Sequence, residues 1–155
     1  MKRHRLPGIA LASLLGLAAI TGLIRPASAV AQAAQVQWSG VERVVAFADV
    51  HGAHTELLTL LRETGIVDAQ DRWAAGRTHV VSLGDLLDRG ADSRKVMDLL
   101  MRLQGEAQAA GGQLHVVLGN HEAMNVLGDL RYVDAGEIAA YTDVESATER
   151  ADRRQ

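Results

Sequence analysis

Cysteine is absent from the 155-residue chain, and this absence excludes several kinds of site. Without it there is no disulfide framework, thiolate zinc site, iron–sulfur cluster or cysteine nucleophile. Any metal ion must therefore be held by oxygen and imidazole ligands. An excess of basic residues is also absent, because 16 Lys and Arg stand against 19 Asp and Glu, for a formal net charge of -3. We therefore expect no nucleic-acid partner.

Acidic residues are missing from the first 29 positions, which have the features of an export signal. Lys2, Arg3 and Arg5 precede an uncharged stretch at residues 6–24, and the small residues at positions 27–29 match the pattern that signal peptidase cleaves. We interpret residues 1–29 as a secretory signal peptide, which predicts a periplasmic or secreted protein. The alternative is an uncleaved membrane anchor, because a stretch of this length could just span a bilayer. In either case, the rest of the chain is long enough for one domain.

Three apolar runs alternate with two helical patterns after this segment. The runs lie at residues 41–47, 79–83 and 114–118, and leucines at helical spacing follow the first run at residues 55–64. A second helix is predicted with Ser93 as its cap. Buried strands that are apolar throughout, separated by helices, predict an α/β fold with a parallel sheet and flanking helices.

Each predicted strand is followed by an unusual polar cluster. The clusters are Asp49-Val50-His51-Gly52, Gly84-Asp85-Leu86-Leu87-Asp88-Arg89-Gly90 and Gly119-Asn120-His121-Glu122. Singly, such clusters are commonly helix caps or turns. Ligands of parallel sheets bind beyond the carboxyl ends of the strands, so we expect the three clusters to converge on one site.

Four residues of these clusters are suited to holding metal ions. Asp49, His51, Asp85 and Asn120 offer two carboxylates, an imidazole and an amide oxygen, which suit manganese, iron or zinc. A carboxylate shared between two divalent ions, most naturally Asp85, would hold them about 3.5 to 4 Å apart, as in sites that displace a group at phosphorus.

The three motifs, in this order and spacing, resemble those of the calcineurin-like metallophosphoesterases, within the phosphoprotein phosphatase branch. Residues 123–133 are similar to the bacterial Shewanella-like phosphatases. The resemblance implies that residues 40–133 form the N-terminal, βαβαβ half of a metallophosphoesterase sandwich. Residues 134–155 are increasingly polar and are predicted to form a helical tail. The resemblance implies two divalent ions, with Asp49 and His51 on the first, Asp85 bridging and Asn120 on the second.

The resemblance also implies the catalytic roles. His121 matches the general acid that protonates the leaving group, and Asp88 matches the carboxylate that orients this histidine. Arg89 and Asn120 match residues that hold the substrate phosphate. The implied activity is hydrolysis of phosphomonoesters, with a phosphorylated protein (Ser/Thr or Tyr) or a small phosphoester as substrate.

The chain departs from the family after His121. The family completes its metal shell with histidines from a C-terminal half, whereas this sequence has no later histidine and ends at Gln155. We therefore expect one uncovered sheet face, and we keep a truncated, non-catalytic metal- or phosphate-binding remnant as an alternative. A second alternative is a dinucleoside polyphosphate hydrolase, because hydrolases of that kind have similar loops. The aromatic residues Trp38, Trp73 and Tyr132 are expected to serve packing or to lie at the surface.

Overall fold

A computed structural model describes residues 35–144 of the protein. The predicted signal segment and residues 145–155 of the predicted tail lie outside the described residues. The chain divides into two units after Val36, and the architecture below is that of the second. Its elements are β1 (Val44–Phe47), α1 (His54–Glu63), β2 (His79–Ser82), α2 (Ser93–Ala109), β3 (Gln113–Val116), α3 (Asn120–Val126) and α4 (Ala135–Ala139).

The three strands form one parallel sheet in the order β1-β2-β3. In register, Val45 pairs with Val80, and Val80 pairs with Leu114. Parallel neighbours require crossover connections, which α1 and α2 supply. The predicted α/β class is confirmed.

Helices α1 and α2 contact each other and cover the same face of the sheet. Each presents a leucine-rich stripe at helical spacing, which buries apolar surface against the strands. Ser93 is the first residue of α2 and not its cap, because Asp92 holds the N-cap position. The core lies between this sheet face and the two stripes, and its fully buried members include Leu61, Ile66, Val80, Val96, Leu100, Leu103 and Leu114.

The other sheet face is open in the part of the chain that the structure describes. Val44 of β1 is 62 % exposed and Val117, just after β3, is 50 % exposed, so the expectation of one uncovered sheet face is confirmed. The prediction that the first strand is buried was wrong on this face. The reason is topological, because both crossover helices lie on the same side. His79 and His115 also point to the open face, with 3.1 Å between His79 Nδ1 and His115 Nε2, and the ring of Trp38 packs edge-on against His115.

The chain after β3 continues in two short helices. Helix α3 begins at Asn120, directly after the third polar cluster, and α4 follows a turn around Tyr132. Asp134 caps α4 by accepting the N–H of Gly136. None of the helices at residues 35–144 has the length and apolar character needed to cross a membrane.

Candidate active site

Two backbone hydrogen bonds join the loop between β1 and α1 to the loop after β2. His51 N–H donates to the carbonyl of Asp85, and Gly52 N–H donates to that of Leu86, each at 2.9 Å. Gly52 has a φ of 69°, and a Cβ there would lie 2.6 Å from the carbonyl oxygen of Gly90. Glycine therefore allows the two loops to approach this closely.

A candidate metal centre lies where these loops meet. Asp49, His51 and Asp85 each offer a ligand atom, and the three atoms lie within 4.8 Å of one another. The Nδ1 of His51 lies 2.9 Å from the carbonyl of Leu87, so the ring donates there and its Nε2 lone pair faces the carboxylates, 3.8 Å from Asp49 Oδ1. A metal-binding histidine is commonly oriented by such a second hydrogen bond. The donor set fits a divalent ion of the manganese, iron or zinc kind.

Asn120 lies beside this centre at the exposed first position of α3. The residues on both sides of it contact Asp85. The N–H of His121 donates to Asp85 Oδ1 at 2.9 Å, and a Cβ on Gly119 would overlap the same oxygen. The third cluster is therefore packed directly against the carboxylate that is predicted to bridge two ions.

Asp88 and His121 form a buried pair. Asp88 is inaccessible to solvent and His121 is 3 % exposed, with 2.6 Å between Asp88 Oδ2 and His121 Nδ1. The second carboxylate oxygen of Asp88 accepts the side-chain amide of Asn125 at 2.9 Å. The amide also donates to the carbonyl of His121 at 3.0 Å, so it ties both members of the pair together.

The guanidinium of Arg89 lies between the two imidazoles of the site. Its Nη1 lies 3.0 Å from His51 Nε2, and its Nη2 lies 3.1 Å from His121 Nε2. Because arginine only donates, both Nε2 atoms must be acceptors here, and the proton of each ring is on Nδ1. His51 can therefore ligate an ion through Nε2 only after the contact with Arg89 is given up.

Backbone strain is concentrated in this site. Six non-glycine residues of the described chain have positive φ, and five of them were predicted to be functional, with φ between 46° and 69°. Each such conformation costs about 1 to 3 kcal/mol and persists where the surroundings impose it. The five strained site residues are Asp49, His51, Asp85, Asp88 and Arg89.

Four contributors to the site were missed from the sequence. The ring of Tyr132, expected to serve packing or to lie at the surface, is 5.4 Å from that of His121, and Arg89 Cζ is 5.7 Å from its centre. Asn125, Glu122 and Glu137 hold the loops of the candidate site by hydrogen bonds. Glu122 could have been found, because it is the last residue of the third motif. Nothing in the spacing pointed to Glu137, because its partner Asp88 is 49 residues away.

The remaining histidines of the described chain lie outside the candidate site. His54 is the first residue of α1. His79 and His115 lie on the open sheet face and bond to each other. Burial lowers the pKa of His115, and the neighbouring His79 acts in the same direction.

Comparison with known proteins agrees with this geometry. The sequence profile named "Calcineurin-like phosphoesterase" matches residues 42–152. Shewanella-like protein phosphatase 2 of Arabidopsis thaliana is 42 % identical over 99 residues, covering 64 % of this chain and 25 % of its own length. Shewanella-like protein phosphatase 1 of Plasmodium berghei is 30 % identical over 106 residues, covering 68 % and 29 %.

A solved structure shares the fold. The crystal structure of the cold-active protein-tyrosine phosphatase of a psychrophilic Shewanella species superposes with a TM-score of 0.63 at 44 % identity, covering 66 % of this chain and 31 % of that one. The chain thus spans between a quarter and a third of the length of these relatives. The family implies divalent metal ions, for which Asp49, His51 and Asp85 are the candidate group. With its profile match, relatives and fold in agreement, this chain belongs to the calcineurin-like phosphoesterase family.

Proposed function

We propose that the protein is an exported, metal-dependent phosphomonoester hydrolase that acts on phosphorylated proteins. The observation that most supports this is the meeting of three loops, which gathers a carboxylate–imidazole cluster, an arginine and a buried Asp–His pair at one sheet edge. The relatives are named as protein phosphatases, and one is named as a protein-tyrosine phosphatase. We extend protein phosphate to this chain as the substrate class.

Asp49, His51, Asp85 and Asn120 would hold two divalent ions, of which manganese, iron and zinc are the candidates. When bound, these ions supply Lewis-acid activation of water and neutralise charge on the phosphoryl group. Asp85 is the natural bridging ligand, because it lies between the other two clusters: the N–H of His51 donates to its backbone carbonyl, and the N–H of His121 donates to its carboxylate.

Arg89 would bind the substrate phosphate by exchanging its partners. Its two terminal nitrogens, which donate to neutral imidazoles in this structure, are spaced to donate to two phosphate oxygens instead. A dianionic phosphate is the stronger acceptor, so its arrival would draw the guanidinium from His51 and His121. His51 would give up its contact with Arg89 Nη1 in the same way if its Nε2 bound an ion before substrate arrived.

His121 would give the proton to the leaving group. Once Arg89 turns to phosphate, Nε2 of His121 can take up a proton, while Asp88 keeps the proton on Nδ1 and the ring in place. Water attacks phosphorus, the bond from phosphorus to the ester oxygen breaks, and that oxygen leaves with the Nε2 proton. The products are inorganic phosphate and a free hydroxyl.

The test is hydrolysis by the metal-loaded chain. We would assay a phosphotyrosine peptide, a phosphothreonine peptide and a dinucleoside polyphosphate, after measuring bound metal, with Asp85→Ala as the control for contaminating phosphatases. Release of phosphate from either peptide, lost in the variant, would support the proposal. Turnover of the dinucleotide alone would favour the alternative hydrolase, and no turnover by metal-bound protein would reject the enzyme.

Export is proposed from the N-terminal segment alone, which lies outside the described residues. The mature protein should begin near Val30 and be recovered from the periplasm or medium. N-terminal sequencing after expression with the native leader checks this. An intact Met1 on membrane-bound protein would instead establish the uncleaved anchor.

A further inference from the structure

Glu137 is a buried carboxylate beside the catalytic pair, although it lies in α4, outside the three motifs. It is 7 % exposed, and its Oε2 accepts the backbone N–H of Asp88 at 3.2 Å. The hydroxyl of Ser93 and the backbone N–H of Asp134 also bond to it. Burial raises the pKa of Glu137, and the charge of Asp88 adds to this effect. Burying an acid beside another acid is unfavourable, so a residue chosen only to cap a surface helix would not need this position.

The backbone that Glu137 holds is strained. Asp88 and Arg89 are consecutive non-glycine residues with φ of 69° and 65°. Two amides of this turn are held from the segment that follows α3, since Asp88 N–H donates to Glu137 and Arg89 N–H donates to the carbonyl of Tyr132 at 2.8 Å. Non-glycine residues at positive φ are strained, so two in succession need surroundings that impose the turn.

Helix α4 packs against the start of α2, and this packing fixes the position of Glu137. A Cβ on Gly136 would lie 2.6 Å from that of Ala91, which shows how closely the two segments pack. Past Glu137, Arg94 of α2 donates to the carbonyl of Ala140 at 2.6 Å and pairs with Asp143. Contacts with the segment at the start of α2 therefore hold the chain both before and after Glu137.

We propose that Glu137 is a positioning residue that imposes the left-handed turn at Asp88 and Arg89, and so aims the carboxylate of Asp88 at His121 and the guanidinium of Arg89 into the site. The inference rests on the proposed function in that His121 and Arg89 are taken to act on the phosphoester. The contact itself is independent of activity, and it can be measured in the chain without substrate.

The experiment compares four proteins: wild type, Glu137→Ala, Glu137→Gln and Asp134→Ala. The alanine at 137 removes the acceptor of the Asp88 amide, whereas glutamine keeps an acceptor oxygen in place. The control at Asp134 removes the side-chain cap of the same helix without touching Asp88. Two NMR readouts need no turnover: hydrogen exchange of the Asp88 and Arg89 amides, and the downfield Nδ1 proton of His121 that its short bond to Asp88 should produce.

For Glu137→Ala we expect at least tenfold faster exchange of the Asp88 amide and loss or an upfield shift of the His121 proton. On an alkyl phosphate kcat should fall about 10- to 100-fold, with little change in metal content. Glu137→Gln should recover most of each effect, and Asp134→Ala should resemble wild type at the site. If the alanine variant does not fold, Glu137→Asp, which withdraws the carboxylate by one methylene, decides by the same measurements.

Unchanged exchange at Asp88 and an unchanged His121 proton in folded Glu137→Ala would overturn the inference. Equal effects in Asp134→Ala would also overturn it, because they would show that Glu137 acts only by stabilising helix α4. Failure of the proposed function looks different. In that case wild type turns over no substrate, while the NMR comparison still reports whether Glu137 holds the turn.

Discussion

The carboxylate of Glu122 accepts the backbone N–H of Asp85 at 2.8 Å, which joins the last residue of the third motif to the candidate bridging ligand in the second. The same carboxylate accepts the amides of Leu86 at 2.8 Å, Leu87 at 3.2 Å and Gly119 at 2.7 Å. One side chain therefore satisfies four amides on two loops. The Glu122 side chain keeps the loop after β2 against the start of α3, which carries His121 next to Asp88.

Replacing Glu122 with Ala should lower the free energy of unfolding by about 2 to 4 kcal/mol, because buried amides lose a charged acceptor. Metal affinity should fall as well, since Asp85 is no longer held. Denaturant unfolding and metal titration measure the two effects. Glu63→Ala, an exposed carboxylate at the end of α1, is the control and should change neither. Equal stability of the two variants would show that the Glu122 contacts are dispensable.

Replacing Gly84 with Ala should distort the site through sterics alone. Gly84 has a φ of 94°, and an added Cβ would overlap the backbone nitrogen of Gly119. We expect a loss of about 2 to 5 kcal/mol in unfolding free energy and weakened metal binding. Gly105→Ala is the matched control, because Gly105 lies inside α2 with open space around it. That change should instead stabilise the protein by about 0.5 to 1 kcal/mol.

Alanine substitutions of Asp85 and His121 should reduce activity for different reasons. Asp85→Ala should abolish metal binding and all activity, because the proposed bridging carboxylate is lost. His121→Ala should retain the metal while slowing hydrolysis of an alkyl phosphate by about 10²- to 10⁴-fold. Metal content by elemental analysis and kcat on the alkyl ester separate the two variants. Loss of metal from His121→Ala would make this histidine a ligand.

The leaving group gives a separate test of His121 as the acid. An aryl ester such as p-nitrophenyl phosphate needs little protonation, so His121→Ala should lose much less activity on it than on an alkyl ester. The measurement is the ratio of the activity lost on the alkyl ester to the activity lost on the aryl ester. Asp85→Ala is the control, because it should lose activity on both esters alike. Equal losses in His121→Ala would remove its role as the acid.

Glu106 should make part of the stability depend on pH. The backbone N–H of Trp73 lowers the pKa of Glu106, and Arg102 contributes in the same direction. A carboxyl with a lowered folded pKa stabilises the protein fully above its unfolded pKa near 4.5, and this contribution is lost as the pH falls through the folded pKa. Unfolding free energies measured downward from pH 5 should fall less steeply in Glu106→Gln than in wild type. An unchanged slope, or one no different from that of Glu63→Gln, would contradict the assignment.

Much of the fold could be predicted because its signals are local. Leu57 and Leu61 recur at the helical period, and Val80 and Leu114 lie in short apolar runs that end in polar clusters. The order of these elements left a parallel sheet as the natural solution. The boundaries shifted by one to three residues, and Ser93 moved from the cap into the helix, because caps depend on backbone geometry that a residue type only favours.

The sequence alone determined which polar residues gather at the strand ends, because motif and spacing lie within the chain. These residues are Asp49, His51, Asp85, Asp88, Arg89, Asn120 and His121. Only the tertiary structure decided how they are held. The bond from Asp88 to Glu137 and the tilted contact between the rings of Tyr132 and His121 join segments whose spacing follows no period. One uncovered sheet face was expected from the sequence, but which face it is depends on the strand order β1-β2-β3, which places both right-handed crossovers on one side.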